Sequence, residues 1–371
     1  MRVRWFRRRW RWWLTLILLV LVGIIWLVII NMPTEPVGRL LIERQENQNE
    51  LFYDYDFKTQ QLSIIPPKGI TGLDVAFLTS LSKDGKRVAF LGASSNNTRV
   101  YIADNLFNTV RAISSGPRDF KPEISPDGST IIFLRSQGYS TALFAVDVET
   151  GVESQLTQYT NDREADWSPD GKRIVFTTSR DGFQELYTMA PDGSDLKRLT
   201  NNALQNDLEA QFSPDGKWIT YMTNYAVDDG SGEIWLMDAD GQHQRRVTDN
   251  QQDDRWPKWS PNSRQIVFSR TQARDQRADI FVYDVDDGQI RQLTNNGYSY
   301  QPVWSPDSAW IAFSSNPTGS GNQFYIEIMR ADGTDRRTLM VGSENIPAGR
   351  GFKWTRLEVN ARGEEKTERE N

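Results

Sequence analysis

One turn motif recurs six times in register along this 371-residue chain, and few folds accommodate such a pattern. It reads Leu-Ser-Lys-Asp-Gly at 81–85, Ile-Ser-Pro-Asp-Gly at 124–128, Trp-Ser-Pro-Asp-Gly at 167–171 and Phe-Ser-Pro-Asp-Gly at 212–216. It continues as Trp-Ser-Pro-Asn-Ser at 259–263 and Trp-Ser-Pro-Asp-Ser at 304–308. The serines Ser82, Ser125, Ser168, Ser213, Ser260 and Ser305 lie 43, 43, 45, 47 and 45 residues apart. A period of that length, built from short strands, is one blade of a β-propeller per repeat.

The unit at 163–200 shows the physics. Ala165-Asp166-Trp167 leads into the turn and Arg173-Ile174-Val175-Phe176 leaves it as a strand. Pro169 presets φ at the first central turn position, Asp170 suits the second, and Gly171 accepts the left-handed geometry that follows. A third strand is expected at Glu185-Leu186-Tyr187-Thr188 and, after Pro191-Asp192-Gly193, a fourth at 196–200. Two turn signals per period therefore give four antiparallel strands. Isolated blades cannot bury both faces, so they stack around an axis, and Trp167, Phe212, Trp259 and Trp304 are expected in the packing between them.

The ends of the repeat region set the blade number. Arg39-Leu40-Leu41-Ile42 matches 173–176, Phe52-Tyr53-Asp54 falls where 186–188 falls, and 61–65 supplies a fourth strand. The N-terminal part thus carries three strands of a blade that lacks its first. Gly351-Phe352-Lys353-Trp354-Thr355 resembles a repeat lead-in with no second strand after it. Together they complete one split blade, giving an all-β, seven-bladed propeller over 39–360, with units of 46 residues, closed by pairing of N- and C-terminal strands. Closure removes sheet edges that would otherwise template aggregation. A six-bladed ring with loose ends is the alternative, because Trp354 alone carries the C-terminal match.

Ahead of the repeats, residues 1–13 hold six arginines and four tryptophans, and Leu14 to Ile30 is an apolar run of 17 residues. With its flanking tryptophans the run is long enough to cross a hydrocarbon core. The arginines place the N-terminus on the cytoplasmic side. The run is too long for a signal-peptide core, and residues 31–36 offer no small-x-small cleavage site. The expected organisation is a basic cytoplasmic segment (1–13), a transmembrane helix (14–30) embedded in the lipid bilayer, a linker (31–38), the propeller (39–360) and a polar tail (361–371). The propeller is then extracytoplasmic.

The net charge of −6 becomes −12 once the six N-terminal arginines are set aside, so the ring is acidic and carries no nucleic-acid footprint. There are no cysteines and one histidine, His243, in a hairpin turn. A Ser-His-Asp triad and a His- or Cys-rich transition-metal site are therefore not expected. No cofactor is expected. Oxygen-only ligands would suit Ca²⁺ if any cation binds.

The string Trp-Ser-Pro-Asp-Gly-Lys-Arg-Ile-Val-Phe at 167–176 resembles the repeat of TolB-type, or PD40, β-propellers. The resemblance spans 39–360 and implies the fold; it implies function far less specifically. Relatives include the TolB component of the Tol–Pal envelope system, propellers that gate prolyl-oligopeptidase-like hydrolases, and oligogalacturonate-lyase-like enzymes. TolB itself carries an α/β domain ahead of six blades, for which the interval between Ile30 and the first strand leaves no room. The hydrolases need a nucleophile elbow, and no G-x-S-x-G occurs. The lyases hold a metal through several histidines, which are missing here. The resemblance makes a bacterial plasma membrane the expected host.

One positional echo rises above the turn residues. Six residues before the repeat serine stand Asp119, Asp162, Asp207 and Asp254, with Ser299 in the next blade. Two positions on come Lys121, Glu164, Glu209, Trp256 and Gln301, and between them Phe120, Arg163, Leu208, Arg255 and Tyr300. Equivalent positions form a ring, so these are expected to line one mouth of the channel, joined by Arg350. Each aspartate can serve the repeat by accepting backbone N–H bonds at the strand entrance. As a set with Arg163, Arg255 and Tyr300 they can instead bind a basic peptide or a cation. The expected function is a membrane-tethered binding module for a protein or peptide partner in the cell envelope. Cell-wall carbohydrate binding, or a carboxylate-based hydrolase working in the channel, are the alternatives.

Overall fold

The computed structural model describes residues 35–46, 49–65, 75–94, 97–104, 107–202, 205–225, 232–250, 252–272, 277–316, 325–341 and 352–355. The basic segment 1–13, the apolar run 14–30, Arg350 and the tail 361–371 lie outside the described residues. Among the described residues no helix is long and apolar enough to cross a membrane.

Seven four-stranded antiparallel sheets make up the ring. The first strand of each is Val75–Leu81, Asp119–Ile124, Arg163–Trp167, Gln205–Phe212, Asp253–Trp259, Ser299–Trp304 and, for the split blade, Phe352–Thr355. Each first strand touches its counterparts in the two neighbouring blades, the last touching the first, so the ring is closed. Blades are numbered 1 to 7 from the split one. There Phe352–Thr355 pairs antiparallel with Arg39–Glu46, placing Trp354 opposite Leu40 and Thr355 opposite Arg39. Trp354 is buried and stacks on Phe57 with centroids 4.7 Å apart and planes 14° apart. The ring therefore has seven blades.

The turn motif is held together by its own side chains. Ser168 Oγ donates to Asp170 Oδ1 at 2.7 Å and accepts the Arg173 N–H at 2.8 Å, while Asp170 accepts the Lys172 N–H at 3.0 Å. The same serine-to-aspartate bond recurs at 2.6 Å in blade 2 and 2.6 Å in blade 3, and as serine to asparagine at 2.7 Å in blade 6. Gly171, at φ 69°, sits in the left-handed region that favours glycine. Ser263 and Ser308 hold that conformation at φ 61° and 62°. Each hydroxyl there accepts an N–H from the turn of the preceding blade, Asp215 at 2.9 Å and Asn262 at 3.1 Å. The serine thus trades backbone strain for a bond that fastens one blade to the next.

Packing lies between blades. All five residues of Ile174–Thr178 and of Glu185–Met189 are buried. The cluster they join includes Ile132 and Leu143 of blade 3 with Trp167 and Phe176 of blade 4. Each large apolar side chain so buried contributes about 1.5–3 kcal/mol. The indoles also bond across blades: Trp167 Nε1 donates to the Glu123 carbonyl at 3.2 Å and Trp304 Nε1 to the Lys258 carbonyl at 3.0 Å. His243 is the turn residue expected, largely exposed, with Nδ1 2.5 Å from Asp238 Oδ2.

Candidate functional site

In blades 3 to 7 the aspartate position lies at or near the start of the first strand, which then breaks register and runs along the channel. Asp119 stands opposite Arg135, and Asp254 opposite Arg270, so a carboxylate and a guanidinium meet directly across the ladder. Arg135 Nε donates to Asp119 at 2.7 Å and Arg270 Nε to Asp254 at 2.7 Å. Each guanidinium also lies over an aromatic face, Phe144 and Phe281 respectively, at 4.4 Å. Gly116 leaves room for this pair: a Cβ there would fall 2.2 Å from Arg135 Nε. Asp207 accepts from Thr223 Oγ1 at 2.6 Å and Asn202 Nδ2 at 2.6 Å. Asp162 accepts from Thr157 Oγ1 and from Thr160 Oγ1.

These bonds correct the expected mouth. Asp119, Asp162, Asp207 and Asp254 are all 0% exposed, and Ser299, also buried, donates to Asn296. Carboxylates shielded from solvent need donors, and each of these finds them in side chains of its own blade or of the segment leading into it. Burial pushes the Asp207 carboxyl up to about 6. Among the described residues no three His, Cys, Asp or Glu side chains gather to hold a metal, because the aspartates sit in separate blades. Arg255 pairs with Asp253 at 2.5 Å. Tyr300 is half-buried at the equivalent place in blade 7.

Glu164 and Glu209 do reach the channel. Between Phe120 and Glu123, Leu208 and Gln211, Arg255 and Lys258, and Tyr300 and Val303, the first strand carries a β-bulge. Lys121, Glu209, Trp256 and Gln301 occupy these bulges at φ between 49° and 55°. Non-glycine residues held there cost about 1 kcal/mol or more each and persist only where the surroundings impose them. In blades 3, 6 and 7 the next residue is Pro122, Pro257 or Pro302, which needs no ladder N–H at a bulge. Past the aspartate the bulge bends the strand, and in blades 3 to 6 the residues four and two before the repeat serine both line the channel.

The result is a central cavity of 490 Å³. Lys121, Glu164, Glu209 and Trp256 form its upper wall, and Glu123, Asp166, Gln211, Lys258 and Lys353 its lower one. Ser80 and Val303 hold the corresponding places in blades 2 and 7. Asp166 accepts the Phe212 N–H of the next blade at 2.8 Å, as Ser80 accepts that of Ile124 at 3.1 Å. Burial, then the neighbouring Glu123, push the Asp166 carboxyl up to about 7. Burial likewise raises Glu123 and Glu209 and lowers Lys258. With its amide oxygen turned toward Lys258, Gln211 accepts from Nζ at 2.6 Å.

A second cleft of 380 Å³ lies between blades 3 and 4 and shares Lys121 and Glu164 with the cavity. Phe120, Tyr139, Thr141, Arg163 and Gln184 are among its walls. Tyr139 stands at the tip of the hairpin joining Thr130–Gln137 to Ser140–Asp147 and is fully exposed, at 104%. Arg163 is exposed and makes no ion pair among the described residues, its Nε donating at 2.8 Å to the Gln184 amide oxygen turned toward it, while Lys121 pairs with Glu164. Positional counting reached Glu164, Glu209 and Arg163. It missed Glu123, Asp166, Lys258 and Lys353, although a strand that lines a channel with one charged residue does so again two residues on.

A family model described as the TolB beta propeller domain, PD40, matches residues 225–348. The chain is a TolB-like β-propeller. Over 110 residues it is 30% identical to the Tol-Pal system protein TolB of Anaeromyxobacter sp. strain K, covering 30% of this chain and 24% of that one. It is 35% identical over 115 residues to an uncharacterized protein of Agrobacterium fabrum, covering 30% of this chain and 37% of that one. The TolB-like chain thus spans well under half the length of these relatives. Its ring superposes on the crystal structure of TolB from Acinetobacter baumannii with a TM-score of 0.52 at 20% identity, over 82% of this chain and 79% of that one. That likeness concerns the fold.

Proposed function

We propose that this TolB-like propeller is a binding module of the cell envelope, tethered to the membrane through residues 14–30, that engages a protein or peptide partner at the channel mouth. The observation that carries the reading is the paired opening. A polar cavity on the ring axis runs into a side cleft whose rim carries a fully exposed tyrosine and an arginine that makes no ion pair among the described residues. Aromatic and arginine side chains on a rigid scaffold are what protein interfaces use as anchors. Matched relatives carry the name Tol-Pal system protein TolB, which favours a partner in the envelope setting that the family resemblance implies.

A photo-crosslinking residue placed at Tyr139 in intact membranes tests this, with Leu62 on the outer strand of blade 1 as control. A protein adduct is expected at Tyr139, reduced by Arg163→Ala and missing at Leu62. Equal labelling at both positions refutes the mouth as the interface.

A hydrolase working through carboxylates is the second reading, favoured by one observation. Asp166 is held near 7 beside Glu123, as a general acid at neutral pH would be. Turnover of an oligosaccharide or peptide library that Asp166→Asn abolishes would establish it.

A further inference from the structure

The charges of the lower cavity wall are sorted around the ring. Glu123 and Asp166 come from adjacent blades 3 and 4, whereas Lys258 and Lys353 come from blades 6 and 1 with only Val303 between. One arc is therefore anionic and the other cationic. Opposite charges this close to one another normally collapse into pairs, yet among the described residues none of the four makes an ion pair within 4.0 Å. Lys258 meets only the neutral amide of Gln211, and Lys353 has no hydrogen-bond partner among the described residues. On the upper wall one oxygen of Glu164 pairs with Lys121 while Oε2 is buried without a partner. The backbone fixes this separation: the four side chains start from four blades, and Asp166 is anchored by the Phe212 N–H.

An anion alone would satisfy the lysines and leave the carboxylates desolvated; a cation alone would do the reverse. A ligand carrying both charges satisfies both arcs at once, and 490 Å³ lies within the range of small-molecule sites. We propose that the central cavity binds a small zwitterion of amino-acid to short-peptide size, its carboxylate on Lys258 and Lys353 and its ammonium on Glu123 and Asp166. The site sits below the mouth and stands whether or not a protein docks above it. Burial already acts against three of these charges, raising Glu123 and Asp166 and lowering Lys258, so a ligand that supplies counter-charges binds with a favourable electrostatic change.

Calorimetric titration of the full chain in detergent tests this with alanine, alanyl-alanine and alanyl-alanyl-alanine, each also as its N-acetyl and its C-amide form. At least one free zwitterion is expected to bind, with each blocked form weaker by about tenfold or more, the loss of one charge-assisted contact. Lys353→Met is expected to weaken the free peptide while leaving its C-amide form unchanged. Asp166→Asn is expected to weaken the free peptide while leaving the N-acetyl form unchanged. No heat with any zwitterion up to about 10 mM, weaker than a specific site, overturns the proposal. So does equal binding of blocked and free forms, a comparison that needs no variant to fold.

Discussion

Asp166→Asn is expected to stabilise the protein above neutral pH and to do so much less in mild acid. The Asp166 carboxyl is pushed from 3.8 up to about 7 in the folded ring, by burial first and Glu123 second. An acid whose folded pKa is raised stabilises the fold, relative to its ionised state, only while protonated. Below about 4 both folded and unfolded forms carry the proton and no penalty exists. The cost grows as the pH rises from about 4 to 7 and is constant above that. At about 1.4 kcal/mol per pKa unit the ceiling is about 4 kcal/mol. Water in the cavity screens a half-buried group, and Glu123 beside it shares the effect, so about 1–2 kcal/mol is expected. The asparagine keeps an oxygen for the Phe212 N–H, so the cross-blade bond survives. Urea unfolding followed by tryptophan fluorescence at pH 5 and pH 8 reads the difference. A higher midpoint at pH 8, and a rise of less than about half that size at pH 5, is expected. Equal shifts at both pH values, or a loss of stability at pH 8, would refute the electrostatic account of this wall.

Two further perturbations separate structural from binding roles. Asp254→Ala leaves the Arg270 guanidinium inside the blade without its carboxylate and should cost about 3–5 kcal/mol, read as a lowered urea midpoint; an unchanged midpoint would return the aspartates to a binding role. Trp354→Ala removes the ring stacked on Phe57 at the closure and should cost about 3–5 kcal/mol, with oligomers appearing in light scattering as the freed edge finds other chains.

The fold was legible because the repeat states its strands locally. A proline and a left-handed position per turn define each hairpin, and counting from both ends finds the split blade. The site was less legible. Counting back from the serine found the aspartates, yet register decides which way a side chain points, and the bulges at Lys121, Glu209, Trp256 and Gln301 alter register with no signal beyond the proline that follows three of them. The aspartate that looked functional for its recurrence is buried because it recurs: Asp119 and Asp254 face arginines supplied by the same repeat. The working surface lies where the repeat is least faithful. The position of Ser80 becomes Glu123, Asp166, Gln211, Lys258, Val303 and Lys353 from blade to blade, and no repeat logic requires any of them.

The split blade also sets the order of events when the chain is made. Thr355 and Arg39 pair across almost the entire propeller, so the last strand of the ring to be synthesised completes the first sheet. Until then the strand Arg39–Glu46 has a bare edge, and six finished blades surround a gap. Contacts this distant in sequence form slowly, because the intervening chain must be organised before its ends can meet. The newborn propeller is therefore most exposed to wrong partners just before that strand emerges, and the pairing of Phe352–Thr355 with Arg39–Glu46 converts an open arc into a ring.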